Sequence, residues 1–562
     1  MLKCHNSNNK ENRQNLEHSN LQLQQKSSRE MVFSLWKGLA SILVDFSAWT
    51  STHGIPHIGL SKATWLRIVW VVIFAFCSSM FFLQIKGLIQ KYFSYPVNVD
   101  TALLYGERVF PMVTLCNLNA YKMSVASEGI MKDLINAYQA SGPDSTFGFT
   151  DTTFDRKQRA FKWMNMMYND LVTEDEQKNT TYSYADLFIS CSYNTENCNE
   201  TDFSTYVDPY FGRCYSFNYD SSKTSSRAGP LYGLNIVLRV NQAEYLPWTQ
   251  SAGAAIQVLD QSEHPFVYTD GFFTPVGVAS AIGVSFVSQK KLAHPYSSCS
   301  DVGGDQTVYY DTPMYQLEAC IRSCLQDKIV ATCDCYDATF PYTGNETNVN
   351  CYQASDPNSK VDCILNITST DGKTGFNVNE ECSCPQSCSE STYNPTLSTA
   401  FWPATQYTPQ ECVTPNNDYL YWDPNDRPSC KNWYGDNTVY LEIYYERMNY
   451  QVLTESPAYA FINLVSDTGG QVGLWLGMSV ISCIEFLTLI VLLICYCLTR
   501  PKDAYLPQFD EAEEQRQREQ ERKMREKQEK LFGRKMSNPP NSQQIYSTDE
   551  HMDLPPKVQE PN

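Results

Sequence analysis

The residues with the clearest chemical potential lie near the C-terminus, in the stretch TGGQVGLWLGMS at 468–479 and the apolar run that follows it. This stretch carries four glycines, Gly469, Gly470, Gly473 and Gly477. Glycine has no side chain to hold another group away from the backbone. Glu485 is the one charge of the run, and a carboxylate inside an apolar span is costly unless it faces a cavity or a partner. The combination indicates a functional segment.

Two apolar segments must position these residues, and each is long enough to cross a bilayer. The first runs from Ile68 to Ile85 without a charge, and the second from about Val472 to Leu498. Residues 1–30 are polar and do not resemble a signal peptide. Lys and Arg are frequent before the first span and after the second. This distribution predicts that both termini are cytoplasmic and that the region between the spans is extracellular.

Cysteine usage agrees with an exported region between the spans. Of the 21 cysteines, 16 fall between Cys116 and Cys430, an even number that favours paired thiols. A zinc module is the alternative, but this region has only two histidines, His264 and His294, so we expect no metal. Four sites for N-glycosylation fall in the same region, Asn179, Asn199, Asn345 and Asn366.

Composition excludes several classes of function. The net charge of −19 argues against a nucleic-acid partner and would concentrate cations at the surface. The sequence shows no nucleophile elbow, zinc-protease motif or phosphate-binding loop, so we expect neither an enzyme nor a cofactor. Residues 31–48 place apolar groups at near-helical spacing, which predicts an amphipathic helix at the inner membrane lipid surface.

Six motifs in a fixed order resemble one family. They are His53-Gly54 before the first span, FPMVTLCNLN at 110–119, GRCYSFN at 212–218, LAHPYSSC at 292–299, CSCPQSCSESTY at 382–393 with Trp402-Pro403, and GGQVGLWLGMS at 469–479. Together the motifs are similar to those of the degenerin/epithelial sodium channel superfamily, over nearly everything except the two tails.

The resemblance implies an α+β membrane protein with two transmembrane helices per subunit, a large disulfide-rich hand-shaped ectodomain and a trimeric assembly. It implies a plasma-membrane sodium channel with amiloride as pore blocker and Na⁺ as the permeant ion. The predicted divisions are a cytoplasmic N-terminus at 1–66, the first span at 67–91, the ectodomain at 92–465, a discontinuous second span at 466–498 and a cytoplasmic tail at 499–562.

The resemblance also implies a disulfide pattern that spacing alone does not determine. The implied pairs are Cys116–Cys214, Cys191–Cys198, Cys299–Cys388, Cys320–Cys384, Cys324–Cys382, Cys333–Cys363 and Cys335–Cys351. Cys412 and Cys430 remain, and we expect them to form an extra bridge.

For the pore, the resemblance implies a selectivity belt at Gly477-Met478-Ser479, where the second helix breaks and backbone oxygens replace part of the ion's water shell. Family members more often have a small residue where this chain has Met478. Glu485 would line or support the pore. The alternatives are that the glycines only allow tight helix packing and that Glu485 only bonds between helices.

The same resemblance assigns two roles in gating. His53 and Gly54 would form a re-entrant loop that braces the belt from inside. Tyr296 matches an aromatic residue that contacts the top of the first span, and Tyr95 is its expected partner.

The trigger for opening is predicted by elimination. The histidine pair typical of acid-sensing relatives is absent from YFSYPVNVD at 92–100, so an amidated Arg-Phe neuropeptide is favoured, as for the FMRFamide-gated channels. Aromatic and acidic residues would clamp such a peptide by stacking and charge pairing. The candidates are Phe161, Trp163, Tyr168, Asp170, Glu174 and Asp175.

Other readings stay open. Carboxylate pairs would allow proton gating, and the aromatic residues of 143–206 are equally compatible with a helical core. A homotrimer and a heterotrimer are both compatible with the sequence. Outside this class, an ATP-gated trimeric channel shares the topology, but its phosphate ligand would require clustered basic residues. A non-conducting two-span receptor or adhesion glycoprotein would need neither Glu485 nor the belt.

Overall fold

The computed structural model describes residues 36, 38–140, 146–150, 153–171, 174–344, 348–368, 376–413, 427–499, 518–519 and 521–526. The predicted glycosylation site at Asn345 lies outside these residues, as do most of both tails and the side chains of Asp170 and Glu174. The chain divides into two compact units. We call residues 1–90 with 461–562 the span unit, and residues 91–460 the central unit.

Long apolar helices make up the span unit. Two of them are long and apolar enough to cross a membrane, α3 and α16. The helices are α1 (Gly38–Trp49), α2 (Ile55–Leu60), α3 (Thr64–Phe93), α15 (Phe461–Leu476) and α16 (Val480–Thr499). Helix α2 begins at Ile55 after Gly54 and has Pro56 in its first turn, where proline is favoured because it has a helical φ and no N–H to leave unpaired.

Fifteen strands are described in the central unit. They are β1 (Val97–Tyr105), β2 (Arg108–Val109), β3 (Met112–Asn117), β4 (Phe188–Tyr193), β5 (Glu196–Asn197), β6 (Phe203–Asp208), β7 (Gly212–Phe217), β8 (Thr224–Ser225), β9 (Leu234–Arg239), β10 (Gly253–Leu259), β11 (Phe272–Pro275), β12 (Val278–Lys290), β13 (Ser389–Phe401), β14 (Thr438–Tyr445) and β15 (Asn449–Pro457).

These strands form two main sheets. The larger has the order β1-β15-β12-β14-β9-β4-β5, with β13 also pairing with β12, and the smaller has the order β11-β10-β3-β7-β6. Strand β12 pairs antiparallel with β13 and parallel with both β14 and β15. Apolar side chains from both sheets meet in one core, among them Leu115, Phe217, Ile256, Val284 and Leu441.

The helices of the central unit are α4 (Met123–Ala126), α5 (Lys132–Gln139), α6 (Arg156–Leu171), α7 (Glu174–Thr180), α8 (Tyr184–Leu187), α9 (Val267–Asp270), α10 (Leu317–Cys333), α11 (Pro357–Thr368), α12 (Val378–Glu381), α13 (Gln410–Val413) and α14 (Arg427–Asn437). Helices α5, α6, α10 and α11 share a second core, which includes Trp163, Met164, Ile329 and Ile364. This core fixes the position of α6, the helix that carries most of the predicted ligand residues.

Candidate functional site

The second apolar segment breaks at Gly477. Helix α15 ends at Leu476 and α16 begins at Val480, so residues 477–479 join them without helical structure. Gly477 has a φ of 60°, in the left-handed region that residues with a side chain rarely adopt. Its N–H still bonds to the carbonyl of Gly473 at 3.0 Å. The break is therefore a local turn at the predicted belt.

Residues 50–54 hold the break from the N-terminal side. The His53 N–H donates to the carbonyl oxygen of Leu476 at 3.1 Å, which satisfies a group that the helix end leaves free. A methyl group on Gly477 would collide with the imidazole ring of His53, so this position has no room for a side chain. Gly54 has a φ of 93° where the loop enters α2. The structure thus brings the predicted loop and the predicted belt into contact.

Glu485 anchors the same loop. Its Oε2 accepts hydrogen bonds from the Ser51 N–H at 2.8 Å and from the Thr50 hydroxyl at 3.0 Å. The Ser51 hydroxyl lies 2.6 Å from that of Ser482, which also caps the break through the Ser479 N–H at 3.1 Å. Glu485 and the belt are therefore parts of one hydrogen-bonded assembly, in which the carboxylate already has loop donors as partners.

The other predicted pore residues lie along the end of α15 and in the break. A methyl group on Gly469 or Gly470 would meet nothing within 4 Å, and one on Gly473 would lie 3.9 Å from the carbonyl oxygen of Met478. Met478 is half-buried, and its N–H bonds to the Val472 carbonyl at 3.4 Å. Of the four glycines, only Gly477 has positive φ and a tight neighbour.

The two tyrosines predicted to couple gating meet within the central unit. The ring centroids of Tyr95 and Tyr296 are 5.4 Å apart at an interplanar angle of 76°. This edge-to-face geometry is one of the preferred arrangements of aromatic pairs. Tyr95 follows the end of α3, and Tyr296 lies between β12 and α10.

Eight disulfides join the sixteen cysteines of the central unit. They are Cys116–Cys214, Cys191–Cys198, Cys299–Cys388, Cys320–Cys384, Cys324–Cys382, Cys333–Cys363, Cys335–Cys351 and Cys412–Cys430, the same pairs that the resemblance and the remaining two cysteines imply. Among the residues that the structure describes, four further cysteines are free, Cys77, Cys483, Cys495 and Cys497. Of the predicted glycosylation sites, Asn179, Asn199 and Asn366 are exposed.

Two of the predicted ligand residues belong to the core instead. Trp163 is 3% exposed, and its indole N–H donates to the carbonyl of Phe147 at 3.1 Å. Tyr168 is fully buried, with its ring centroid 4.1 Å from that of Tyr121. Neither ring is available for stacking on a peptide, because α6 turns both into the second core. Phe161 is half-buried and Asp175 is exposed.

An acidic cavity of about 650 Å³ lies elsewhere in the central unit. Its lining includes Asp260, Glu263, Asp270 and Glu390, together with Lys290. Burial raises the pKa of Glu263 to about 7, and the neighbouring carboxylates of Asp260, Glu390 and Asp270 also raise it. This carboxyl group therefore titrates near neutral pH. In contrast, burial and the nearby Arg322 charge lower the pKa of His264.

The residues that connect the loop to the second span were not among the predicted site residues. Thr50, Ser51 and Ser482 supply the hydrogen bonds. Thr50 and Ser51 belong to the polar run TST directly before His53, and Ser482 stands out only as a polar residue in an apolar run. Among the residues that the structure describes, no group of three or more His, Cys, Asp or Glu side chains is placed to hold a metal ion.

Comparison with known proteins bears on this assembly directly. The family described as amiloride-sensitive sodium channel matches residues 46–489, which include the loop, the break and the whole central unit. The degenerin-like protein asic-2 of Caenorhabditis elegans is 32% identical over 505 residues, which cover 85% of this chain and 91% of the relative.

Two degenerins of the same organism match over shorter regions. Degenerin unc-8 is 35% identical over 56% of this chain, and degenerin del-1 is 35% identical over 54%. The chain spans only 39% and 44% of the length of these two relatives. A cryo-EM structure of a proton-activated chloride channel covers 76% of this chain at 6% identity, and its TM-score of 0.28 is too low to bear on the fold.

The family match, the two apolar helices and the disulfide-rich α+β central unit agree with one another. The chain therefore belongs to the amiloride-sensitive sodium channel family, in the degenerin/epithelial sodium channel superfamily, as a membrane protein with two spans.

Proposed function

We propose that this chain forms a trimeric, sodium-selective, amiloride-sensitive channel of the plasma membrane that is opened by an extracellular ligand. The observation that carries this proposal is the break at Gly477, which is left-handed, closed to any side chain and bonded to the His53 loop. Three copies of this break around one axis would present backbone oxygens to a narrow path. Such oxygens can replace part of the hydration shell of a cation.

The disulfides support the orientation that this function needs. Eight bridges in the central unit require an oxidising compartment, which for a plasma-membrane protein is the extracellular side. Both termini then lie in the cytoplasm. The Lys and Arg residues before the first span and after the second favour the same orientation. The loop at residues 50–54 would brace the break from the cytoplasmic side.

A short amidated peptide is the proposed ligand. The described part of the chain offers aromatic surface in the central unit, with Tyr268 and Phe273 more than half exposed. A cationic, aromatic peptide matches such rings and the excess of acidic residues. Similarity to degenerin-like proteins does not specify a ligand, so the choice of a peptide rests on this chemistry.

A proton is the second candidate, favoured by the acidic cavity. Glu263 titrates near pH 7, and its neighbours Asp260, Asp270 and Glu390 repel its charged form. Acidification below pH 7 would neutralise Glu263 and let the cavity walls approach. The same site would then act as a sensor of extracellular acid.

Two-electrode current recording from cells expressing this chain alone tests the proposal. An amidated Arg-Phe peptide panel is applied first, then a step from pH 7.4 to 5.5, each with and without amiloride. Cells expressing Gly477→Ala at an equal surface level give the matched background. A peptide-evoked, amiloride-blocked sodium current is the expected result. If acid alone evokes a current, the ligand that opens the channel is the proton and not the peptide.

If no current is recorded under either condition, one further measurement is needed to interpret the result. Surface labelling shows whether the chain reaches the membrane, and co-expression with a related degenerin subunit tests for a heterotrimer. A chain that reaches the surface and carries no current under any of these conditions contradicts the channel proposal. It would favour the non-conducting receptor instead.

A further inference from the structure

A second cavity of the central unit lies beside one of the predicted glycosylation sites. It has a volume of about 640 Å³, within the range of cavities that hold small ligands. Most of its lining comes from residues between 124 and 131, and the rest comes from α6 and α7. Asn179, the first residue of the sequence NTT, is exposed and belongs to this lining. A sugar attached to this asparagine would therefore begin at the cavity.

The end of α7 holds Asn179 in a defined place. Asn179 is the penultimate residue of this helix, and the carbonyl oxygen of Thr180 accepts a hydrogen bond from the Lys122 N–H at 2.8 Å. The Thr180 hydroxyl also donates to the carbonyl oxygen of Glu176 at 2.8 Å. Lys122 directly precedes α4. These bonds therefore tie the end of α7 to the segment that forms most of the lining.

The sequence NTT provides the chemistry of attachment. The asparagine of an Asn-x-Ser/Thr sequence in an exported region is the acceptor for an oligosaccharide carried on a lipid pyrophosphate. Nδ2 of Asn179 forms a bond to C1 of the first N-acetylglucosamine and loses one proton, while the bond from C1 to the pyrophosphate oxygen breaks and the lipid pyrophosphate leaves. Thr181 is 1% exposed in the folded protein, so the transfer must take place before this region folds.

The lining suits a sugar, whose ring has C–H groups on its faces and hydroxyl groups at its edge. Val125 and Ile130 are 37% and 36% exposed and offer apolar contact. Ser124 and Glu128 are exposed and offer a hydroxyl and a carboxylate to the sugar hydroxyls. In the part of the lining that the structure describes there is no Lys or Arg to attract an anion.

A free cation would also be attracted to the carboxylate of Glu128. A sugar attached to Asn179 has the advantage of its tether, because a short linker gives an effective concentration in the millimolar range. Such a sugar occupies the cavity ahead of a weakly bound free ligand. The occupant best supported by these residues is therefore the one that the chain itself would carry.

Two other predicted glycosylation sites have a different environment. Asn199 and Asn366 are exposed, but neither belongs to the lining of this cavity. At Asn199, the hydroxyl of Thr201 donates to Oδ1 at 2.7 Å within an exposed turn. A glycan at either site would extend into solvent. The two sites are therefore internal controls, with the same modification and no cavity.

We propose that Asn179 carries an N-linked glycan whose first N-acetylglucosamine units occupy this cavity and join α7 to the segment at 124–131. The inference goes beyond the proposed function, because it depends neither on conduction nor on the ligand that opens the channel. A glycan that packs against the protein is shielded at its point of attachment, whereas a glycan in solvent is not. This difference can be measured at each site separately.

Enzymatic deglycosylation of the native full-length protein tests the proposal. The protein is produced in animal cells, purified in detergent and treated with a peptide-N-glycosidase, which converts each glycosylated Asn to Asp. Mass spectrometry of the digested protein follows the conversion at each site. We expect release at Asn179 to be about 10-fold slower than at Asn199 and Asn366 in the native protein, and equally fast at all three sites after denaturation and reduction.

Filling the cavity should remove the protection. In Ser124→Trp the indole ring would take the space beside Asn179, while the N–H of residue 124 can keep its hydrogen bond to Glu244 at 2.8 Å. We expect release at Asn179 to become as fast as at Asn199. Ser222→Trp is the matched control, at an exposed serine outside the cavity, and should leave the slow release unchanged.

Hydrogen exchange gives a second readout that does not require Ser124→Trp to fold. Asn179→Gln keeps an amide at this position but cannot carry the glycan. We expect the backbone amides of residues 123–131 to exchange faster in this variant than in the wild type, because the sugar no longer covers them. In Asn199→Gln the exchange of the same residues should not change.

Four results would overturn the inference. If Asn179 carries no glycan in the purified protein, the modification site is wrong. If release is equally fast at all three sites in the native protein, the glycan lies in solvent. If release at Asn179 stays slow in folded Ser124→Trp, the protection does not come from this cavity. If Asn179→Gln leaves the exchange of residues 123–131 unchanged, the glycan does not cover them.

Discussion

The span unit and the central unit hold their functional residues in opposite ways. In the central unit, eight disulfides and two apolar cores fix the positions of the cavities. In the span unit, the break at Gly477 is held by hydrogen bonds from residues 50–53 and by close contact with His53. Disulfides hold the central unit by covalent bonds, whereas the few hydrogen bonds at the break can be broken at a cost of a few kcal/mol. A single substitution should therefore disrupt the break, while the central unit should lose stability in measurable steps.

The largest effect should come from Gly477→Ala. The added methyl group collides with the His53 ring, and the φ of 60° costs a residue with a side chain ~1 kcal/mol or more in addition. We expect sodium current to fall to background at normal surface expression, measured by voltage clamp with surface labelling.

Gly469→Ala is the matched control. It lies in α15, where a methyl group meets nothing within 4 Å, so current should stay within about twofold of wild type and helix propensity should improve by ~1 kcal/mol. Equal loss of current in both variants would show that the close contact at Gly477 is not what matters.

The next effect tests the covalent side of the comparison. Replacing both Cys320 and Cys384 with serine removes a bridge over a sequence separation of 64 residues. We expect the free energy of unfolding to fall by roughly 2–4 kcal/mol. The midpoint temperature of the purified full-length protein reports this loss. Cys77→Ser, at a free cysteine, should change it little, and an equal shift in that control would contradict the assignment.

Glu485 separates bracing from charge in the span unit. Glu485→Ala removes the acceptor for Ser51 and Thr50 and should reduce current strongly, because charge-assisted hydrogen bonds contribute ~1.5–3 kcal/mol. Glu485→Gln keeps one acceptor oxygen and should retain a large part of the current. If Glu485→Gln is as damaging as Glu485→Ala, the charge itself is required, as the pore-lining interpretation predicts.

The smallest effect concerns the acidic cavity. Because the pKa of Glu263 is raised to about 7 in the folded protein, this state takes up a proton before the unfolded chain does as the pH falls. The contribution of Glu263 to stability is therefore gained on going from pH 8 to 5.5 and lost as the pH rises through 7. Thermal unfolding should show this trend in the wild type, a flatter profile in Glu263→Gln, and a wild-type profile in the exposed control Glu128→Gln.

Sequence patterns predicted well where a single local property decides the outcome. Long apolar runs predict the helices at Thr64–Phe93 and Val480–Thr499, and β-branched residues lie in the strands at Met112–Asn117 and Leu234–Arg239. The run at 438–456 alternates like a single strand, but it forms two, because β14 ends at Tyr445 and β15 begins at Asn449. The two strands have different partners, and pairing over long sequence separations is not visible in local alternation.

The ligand residues show the same limit. Helix α6 carries aromatic and methionine side chains on most of its surface, so the sequence does not reveal which of them face α10 and α11. Trp163 and Tyr168 are buried in the second core. Phe161 instead lines a cavity together with Tyr268 and Phe273, which lie more than a hundred positions later. No spacing rule relates these residues.

The sequence by itself determined the two spans, the oxidised region between them and, through the order of its motifs, the family. These properties depend on composition and on short motifs, which can be identified without knowledge of the fold. Only the tertiary structure decided that Ser51 and Thr50 bond to Glu485, that His53 leaves no space at Gly477, and that Phe161 lines a cavity together with Tyr268 and Phe273. These contacts are between residues that are distant in the chain, and they form only when helices and sheets pack together.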